Sequence, residues 1–197
     1  MKFSKSILTA AVIISFLTAA SFAAPAWRGD LGSTWQQWDF TDNNPTPSPD
    51  DGYNPYNPAQ MQIVGGNYQP TVSDGAWQVS GSVYAYIPNS PDNNPHKEIW
   101  VEVIWQPMNS SLFLPDEPMV GVTPFADSST KEVTPLAGDW YSTLFKLDLS
   151  PNPSEEYISL SGDYLVDQIV IDTICIPEPT TVLLLVCGVV PLLRRRK

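Results

Sequence analysis

Apolar and polar residues alternate with a period of two over much of residues 34–175, and helical periodicity is almost absent there. The clearest case is the segment 97–105, in which Ile99, Val101, Val103 and Trp105 share one side of an extended chain. We expect this side to face the core and the intervening residues to face outward. The same pattern predicts eight strands, over residues 34–40, 60–64, 76–87, 98–105, 119–123, 140–149, 155–160 and 165–175.

The last strand is the least regular. Gln168 and Asp172 fall among the apolar residues of one side, and Asp167 falls on the other. This pattern predicts a strand that is covered on both faces or that carries a bulge. Two stretches rich in proline and asparagine, residues 42–58 and 88–95, lack any apolar period and predict long loops. The whole pattern predicts an all-β fold, a single antiparallel β-sandwich of the jelly-roll type that resembles galactose-binding-like domains.

The first 23 residues have the features of a secretory signal peptide. Lys2 and Lys5 precede an apolar core over residues 7–17, and Ser21-Phe22-Ala23 provides a small-x-small cleavage site. We therefore expect residues 1–23 to be removed on export and the mature chain to start at Ala24.

The last 21 residues, 177–197, are also set apart from the rest of the chain. Pro177, Glu178 and Pro179 interrupt any regular structure, an apolar run follows, and Arg194, Arg195 and Arg196 stand near the end. A helix over residues 180–193 would rise about 1.5 Å per residue, roughly 21 Å in total, against about 30 Å for the hydrocarbon core of a bilayer. We expect a short transmembrane helix over 180–193, with a basic stop at 194–197, that anchors the chain only temporarily.

This ordered tail resembles the PEP-CTERM sorting signals of Gram-negative bacteria. The resemblance implies an exosortase-type processing enzyme as a partner, a transient contact with the inner membrane, and a final location at the cell surface or in the extracellular matrix. The middle of the chain is similar to a group of secreted PEP-CTERM proteins through Trp27-Arg28-Gly29 and the segments 97–101 and 167–175. Residues 24–176 are then the secreted β-sandwich domain.

Charge and cysteine content narrow the function of this domain. Four Lys and Arg against 20 Asp and Glu give residues 24–176 a net charge of −16, which disfavours binding to nucleic acid. Cations, a neutral polysaccharide or simple solubility all fit this charge. Cys187 lies in the tail, so Cys175 has no disulfide partner within the domain. It is either buried as a small apolar side chain or paired between chains.

The search for catalytic residues is negative. His96 has no second histidine or cysteine at metal-ligand spacing, and no nucleophile-elbow sequence accompanies it. Glu98 and Glu102, four residues apart on one strand, would stand about 13 Å apart, beyond the roughly 5–9.5 Å used in glycoside hydrolysis. We therefore predict no catalytic residues and a protein that is not an enzyme.

The loops are the predicted place for a ligand. Asp50, Asp51 and Tyr53, with Trp38 near in sequence, combine hydrogen-bonding groups and aromatic rings that suit a neutral sugar. No resident cofactor is predicted. Asp50, Asp51 and Asp92 offer oxygen ligands for Ca²⁺, but turn chemistry explains these residues equally well. Four tryptophans either stack on sugar rings or pack in the core: Trp27, Trp35, Trp38 and Trp77.

The predicted function is therefore that of an exported, non-catalytic protein of the cell surface or exopolysaccharide matrix, which binds glycan or other matrix components. Two alternatives stay open. One is a structural or adhesive surface protein with no small ligand, and the other is a divergent carbohydrate-active enzyme.

Overall fold

The computed structural model describes residues 24–72, 75–90, 95–108 and 116–176. Within these residues the chain forms antiparallel strands and contains no helix. The strands are β1 Ser33–Asp39, β2 Asp51–Tyr53, β3 Gln60–Val64, β4 Asn67–Gln69, β5 Ala76–Pro88, β6 His96–Pro107, β7 Met119–Thr123, β8 Ser128–Pro135, β9 Tyr141–Leu149 and β10 Glu155–Ile176.

The described segments offer no helix of the length and apolarity needed to span a bilayer. The signal peptide at 1–23 and the tail residues Pro177, Glu178, Pro179, Arg194, Arg195 and Arg196 lie outside the described residues.

Strand β10 organises the fold because it belongs to two ladders. Its second half pairs with β1 on one side and β6 on the other, in the strand order β2-β1-β10-β6-β9-β8, which we call the six-stranded ladder. Its first half pairs with β5 and β7, and β5 in turn pairs with β3 and β4, which gives the five-stranded ladder. A single strand of 22 residues therefore connects both ladders.

The backbone of β10 is irregular at two places. The register against β6 shifts between Val166 and Gln168, which confirms the bulge expected from the mixed polarity of this segment. Nearer the start of β10, Gly162 lies opposite Gly81 of β5. A Cβ on Gly81 would lie 2.4 Å from the carbonyl oxygen of Val64, so only glycine permits this close approach of β3 to β5.

One hydrophobic core joins both ladders. Ile99, Val101, Val103 and Trp105 are buried, as the alternation in β6 predicted, and they belong to the same cluster as residues of β1, β3, β5, β7, β9 and β10. Most of β10 is buried on both sides, which explains why neither of its faces is purely apolar in sequence.

Three strands and one connection differ from the prediction. The segments 155–160 and 165–175 are parts of the one strand β10. The strands β2, β4 and β8 were not predicted, and β2 interrupts the stretch 42–58 that was expected to be a loop throughout. Almost every residue of β8 is exposed, so this edge strand has no buried side to impose an apolar period. Of the expected loop 88–95, residues 91–94 lie outside the described residues.

Candidate functional site

A groove of about 840 Å³ crosses the outer face of the five-stranded ladder. Its floor is formed by adjacent strands that bring three tyrosines together. Tyr86 of β5 lies opposite Tyr157 of β10 on one side and Gln60 of β3 on the other, and Tyr84 lies opposite Gln62. Directly opposed residues of antiparallel strands project to the same face. The residues that line the groove are Thr46, Pro47, Ser48, Ala59, Gln60, Met61, Gln62, Tyr84, Tyr86 and Tyr157.

The tyrosine rings are accessible and ordered by contacts with each other. Tyr84 is 45% exposed and Tyr157 is 48% exposed. The rings of Tyr86 and Tyr157 lie 5.1 Å apart at an angle of 44°. The Tyr86 hydroxyl donates a hydrogen bond of 2.8 Å to Glu155 Oε2. This bond to a carboxylate raises the pKa of Tyr86 above its ordinary value.

The proline- and asparagine-rich loop after β1 forms one wall of the groove. Asn44 Oδ1 accepts hydrogen bonds from the backbone N–H and the hydroxyl of Thr46, at 3.0 and 3.2 Å. The carbonyl oxygen of Pro45 accepts a 2.8 Å bond from the N–H of Ile63 in β3. These bonds attach the wall to the floor. The asparagine therefore serves the turn.

The groove offers aromatic faces, amides and hydroxyls, and none of the described residues that line it is a cation. Among the described residues every lysine and arginine is engaged elsewhere. Arg28 pairs with Asp172 at 2.5 Å, Lys97 pairs with Glu156, Lys131 lies 2.8 Å from Glu117, and Lys146 lies over the ring of Trp100. This chemistry suits a neutral, hydroxyl-rich ligand and does not suit a phosphate.

The residues predicted as a ligand loop do not line this groove. Trp38 is fully buried in the core and cannot contact a ligand at the surface, so this part of the prediction is wrong. The physical reason is that Trp38 alternates in phase with Phe40, which is also buried. Asp50 Oδ2 accepts a 2.7 Å bond from the N–H of Asp39, and Asp51 Oδ1 accepts a 2.8 Å bond from the N–H of Gly52. The Asp50 carboxylate therefore bonds the last residue of β1, and the Asp51 carboxylate bonds its own neighbour in β2.

Tyr53 is 57% exposed and lies in β2, opposite Trp35 at the edge of the six-stranded ladder. It does not line the tyrosine groove. Tyr53 is thus exposed and Trp38 is buried, although the two residues are near in sequence.

For a metal, the described part of the chain brings no three His, Cys, Asp or Glu side chains into one coordinating group. Asp50 and Asp51 make the backbone contacts given above, and Asp92 lies outside the described residues. A calcium role for Asp50, Asp51 and Asp92 stays a prediction.

His96 has polar neighbours that the sequence did not indicate. Its Nδ1 lies 3.3 Å from the hydroxyl of Ser150, and its Nε2 lies 3.4 Å from Asp148 Oδ1. These three residue types form hydrolytic triads in other proteins, but there the contacts are about 2.6–3.2 Å and the carboxylate is buried. Here Asp148 is 44% exposed. His96, Ser150 and Asp148 therefore form a solvated polar group at the surface.

The other tryptophans divide between the core and the outer face of the six-stranded ladder. Trp77 is buried. Trp27 packs edge-on against Trp100, with ring centres 5.9 Å apart, and the guanidinium of Arg28 lies 4.9 Å from the ring centre of Trp35. Trp27 and Trp35 are half-buried by these contacts.

From the sequence we expected a ligand site formed by loops, and we did not predict a site on the outer face of the sheet. Tyr84 and Tyr86 stand at alternate positions of β5, on the side opposite the buried Val83, Ala85 and Ile87. Two large aromatic residues on the outward side of a strand are the signal that could have found the groove.

No protein family matches this chain, and no curated protein sequence matches it either. Among solved structures, a carbohydrate-binding module studied for its specific recognition of mannan is similar over 71% of this chain and 96% of its own chain. The two sequences are 14% identical and the TM-score is 0.30. A score at this level does not establish a common fold.

Proposed function

We propose that this protein is an exported, non-catalytic component of the cell surface or extracellular matrix, and that its groove binds a neutral polysaccharide. The observation that carries the proposal is the alignment of exposed tyrosines and glutamines along one groove. The apolar face of a sugar ring packs on the rings of Tyr84 and Tyr157, while its hydroxyls exchange hydrogen bonds with the amides of Gln60 and Gln62.

The shape and charge of the groove support this ligand class. The groove is open and framed by the segment 46–48, so an extended chain can lie along it. Because no cation lines the groove, an anionic chain would gain no ion pair there and would be repelled by the negative charge of the domain.

We extend the proposal to the fold, as a jelly-roll β-sandwich of the galactose-binding-like kind. Two ladders that share β10 and enclose one core are the supporting observation.

The glycan proposal is tested by affinity electrophoresis of the full chain in gels that contain neutral polysaccharides such as mannan, glucan or galactan. Tyr84→Ala and Tyr157→Ala should each weaken retention at least tenfold, about 1.4 kcal/mol of binding free energy. Because both side chains are about half exposed, thermal stability should change little. Tyr53→Ala is the matched control, since Tyr53 is equally exposed but does not line the groove.

Three results would contradict this assignment. Loss of retention in Tyr53→Ala alone would favour the loop around β2. Absence of retention on every neutral glycan would favour a structural or adhesive protein. Release of reducing sugar from a bound glycan would show an enzyme.

Sorting through the C-terminal tail is the second part of the proposal, and it rests on the order of Pro177-Glu178-Pro179, an apolar run and Arg194-Arg195-Arg196. The short apolar run predicts removal of the tail by an exosortase-type enzyme after transient contact with the inner membrane. Mass spectrometry of the surface-exposed protein should find a chain that lacks residues 183–197. An intact C-terminus on that form would overturn this part.

A further inference from the structure

A group of polar side chains is buried where β5 ends, β6 begins and β10 has both its ends. Lys97 and Glu156 are each 0% exposed and form an ion pair. Asn89, Asn152 and Cys175 are buried beside them. We call these five residues the Lys97 cluster. None of its residues lines the groove. Burying two charged side chains in a core costs desolvation free energy, so we looked for a role of the cluster itself.

The carboxamide of Asn89 is held in one orientation by its partners. Its Oδ1 accepts hydrogen bonds from the N–H of Ser90 at 3.0 Å and from the thiol of Cys175 at 3.3 Å. Two donors on one carbonyl oxygen withdraw electron density from the carbon and would stabilise negative charge on that oxygen.

The nitrogen of the same amide faces acceptors. Asn89 Nδ2 donates to Asn152 Oδ1 at 2.7 Å, to the carbonyl oxygen of Pro153 at 2.5 Å, and to Glu156 Oε1 at 3.3 Å. The oxygen Glu156 Oε1 is also the one that contacts the Lys97 ammonium group. One carboxylate oxygen therefore lies between the lysine nitrogen and the amide nitrogen of Asn89.

We propose that Lys97 and Asn89 form an intramolecular isopeptide bond, with Glu156 as the catalytic acid and base. Glu156 takes a proton from the Lys97 ammonium, and the resulting amine attacks Cγ of Asn89. The tetrahedral oxyanion is held by the Ser90 N–H and the Cys175 thiol. Glu156 then passes this proton to Nδ2 and takes the second proton from the attacking nitrogen. The Cγ–Nδ2 bond breaks, ammonia leaves, and Glu156 stays protonated. One C–N bond forms and one breaks, so the reaction needs no oxidant or other co-reactant.

The electrostatics of the cluster favour this reaction. Burial raises the pKa of the Glu156 carboxyl, and Lys97 offsets part of that rise. A carboxyl group with a raised pKa accepts a proton more readily, as a general acid and base must. The product amide and the protonated Glu156 are both neutral, so the reaction removes the buried ion pair and its desolvation cost.

The bond would connect the two ladders. Lys97 belongs to β6 of the six-stranded ladder, where it lies opposite Cys175 of β10. Asn89 directly follows β5 of the five-stranded ladder, and Glu156 pairs with Ile87 near the end of β5. The covalent link would thus join the ladders at the end of the core remote from the bulge at Val166.

The test is peptide mapping of the folded full chain by mass spectrometry. Trypsin should fail to cleave after Lys97, so that residues 29–131 stay together at a mass lower than the sequence by one ammonia. An Asp-specific protease cleaves before Asp92, and the peptides 74–91 and 92–115 should then remain joined as one branched species. Cleavage at Lys97 with the unmodified mass would overturn the proposal.

Variants assign the residues. Asn89→Asp should still form the bond but lose water in place of ammonia, whereas the control Asn152→Asp should still lose ammonia. If the opposite is found, Asn152 is the partner and the assignment to Asn89 is wrong. Glu156→Gln should keep the unmodified mass. A bond that forms in Glu156→Gln at the wild-type rate would remove Glu156 from the mechanism. The wild-type map does not depend on whether this variant folds.

Discussion

The two outer faces of the molecule are both rich in aromatic residues, yet they differ in whether cations cover these rings. On the six-stranded ladder, Arg28 lies 4.9 Å from the ring centre of Trp35 and Lys146 lies 4.1 Å from that of Trp100. On the five-stranded ladder, Tyr84 and Tyr157 are about half exposed and no cation lines the groove around them. Aromatic content alone therefore does not distinguish a binding face.

The two faces differ in the positions of the lysine and arginine side chains. Arg28 also forms an ion pair with Asp172, whose side chain is 5% exposed, so it neutralises a carboxylate on the same face whose rings it covers. The rings of Trp35 and Trp100 are thus covered by interactions within the molecule, and we call the surface around them the closed face. The groove of the five-stranded ladder, where we propose that a glycan binds, is the open face. Substitutions in the core, on the closed face and on the open face should therefore change the stability of the domain by very different amounts.

The largest loss of stability is expected for a substitution on the side of β6 that faces the core. Val101 is 0% exposed, so Val101→Asp would bury a carboxylate without a partner and should cost several kcal/mol, enough to unfold most of the domain. Glu102 lies next to it on the outer side, where it accepts a 2.9 Å bond from the Ser142 hydroxyl. Glu102→Ala should cost about 1 kcal/mol.

Urea titration of both variants measures this contrast. Equal midpoints would show that the inner and outer sides of β6 have been exchanged. Glu102 lies on the outer side of β6, as expected, but it is half-buried and bonded to Ser142.

A smaller effect is expected when the closed face loses its arginine. Arg28→Ala leaves Asp172 buried without a cation and should lower the free energy of unfolding by about 2–3 kcal/mol at pH 7. Burial already raises the pKa of Asp172, and Arg28 opposes that rise, so the folded-state pKa should rise further in the variant. A carboxyl with a raised folded-state pKa destabilises the protein as the pH rises above its unfolded value.

The stability deficit of Arg28→Ala should therefore shrink as the pH falls toward about 4, where Asp172 becomes protonated in both states. Chemical denaturation at several pH values measures it, with Glu132→Ala, at an exposed position of β8, as a control for general charge effects. A deficit that does not depend on pH would mean that Arg28 acts through its packing on Trp35 and not through Asp172. Glycan retention by the folded variant should be unchanged.

The smallest effect is expected for the second cation of the closed face. Lys146→Met keeps an unbranched apolar stem over Trp100 and removes only the charge, which should cost about 0.5–1 kcal/mol. The fluorescence of the protein should change because the surroundings of Trp100 change. If this variant gains retention on a neutral glycan in the Tyr157→Ala background, the lysine is what keeps the closed face from binding sugar.

The sequence predicted the limits of a strand best where turn residues flank a segment of alternating apolar residues. The strands β3 and β7 have the predicted limits because Gly65 and Gly66 follow one of them, and Pro118 and Pro124 flank the other. The inward side of β6 was also predicted correctly, since every second residue is apolar. In contrast, β8 has no buried side, and its pairing with β9 is visible only in three dimensions.

The groove and the Lys97 cluster depend on contacts between distant parts of the chain. Tyr86 and Tyr157 become neighbours only because the first half of β10 pairs with β5. Lys97 and Glu156 are 0% exposed although both residue types are usually at the surface, so a local pattern predicts the wrong burial for each. What the sequence did not reveal is therefore mainly the pairing of strands far apart in the chain.

The position of β10 also determines how the domain would respond to mechanical force. A pull on the chain beyond Ile176 acts along β10, which is paired with β1 over residues 168–174 and with β6 up to Ile176 itself. Force directed along β10 loads its hydrogen bonds to β1 and β6 in shear, so that many must break together, whereas a peeling force would break them one after another. The C-terminal strand is thus placed to carry tension into the middle of the sheet and not to be peeled from its edge.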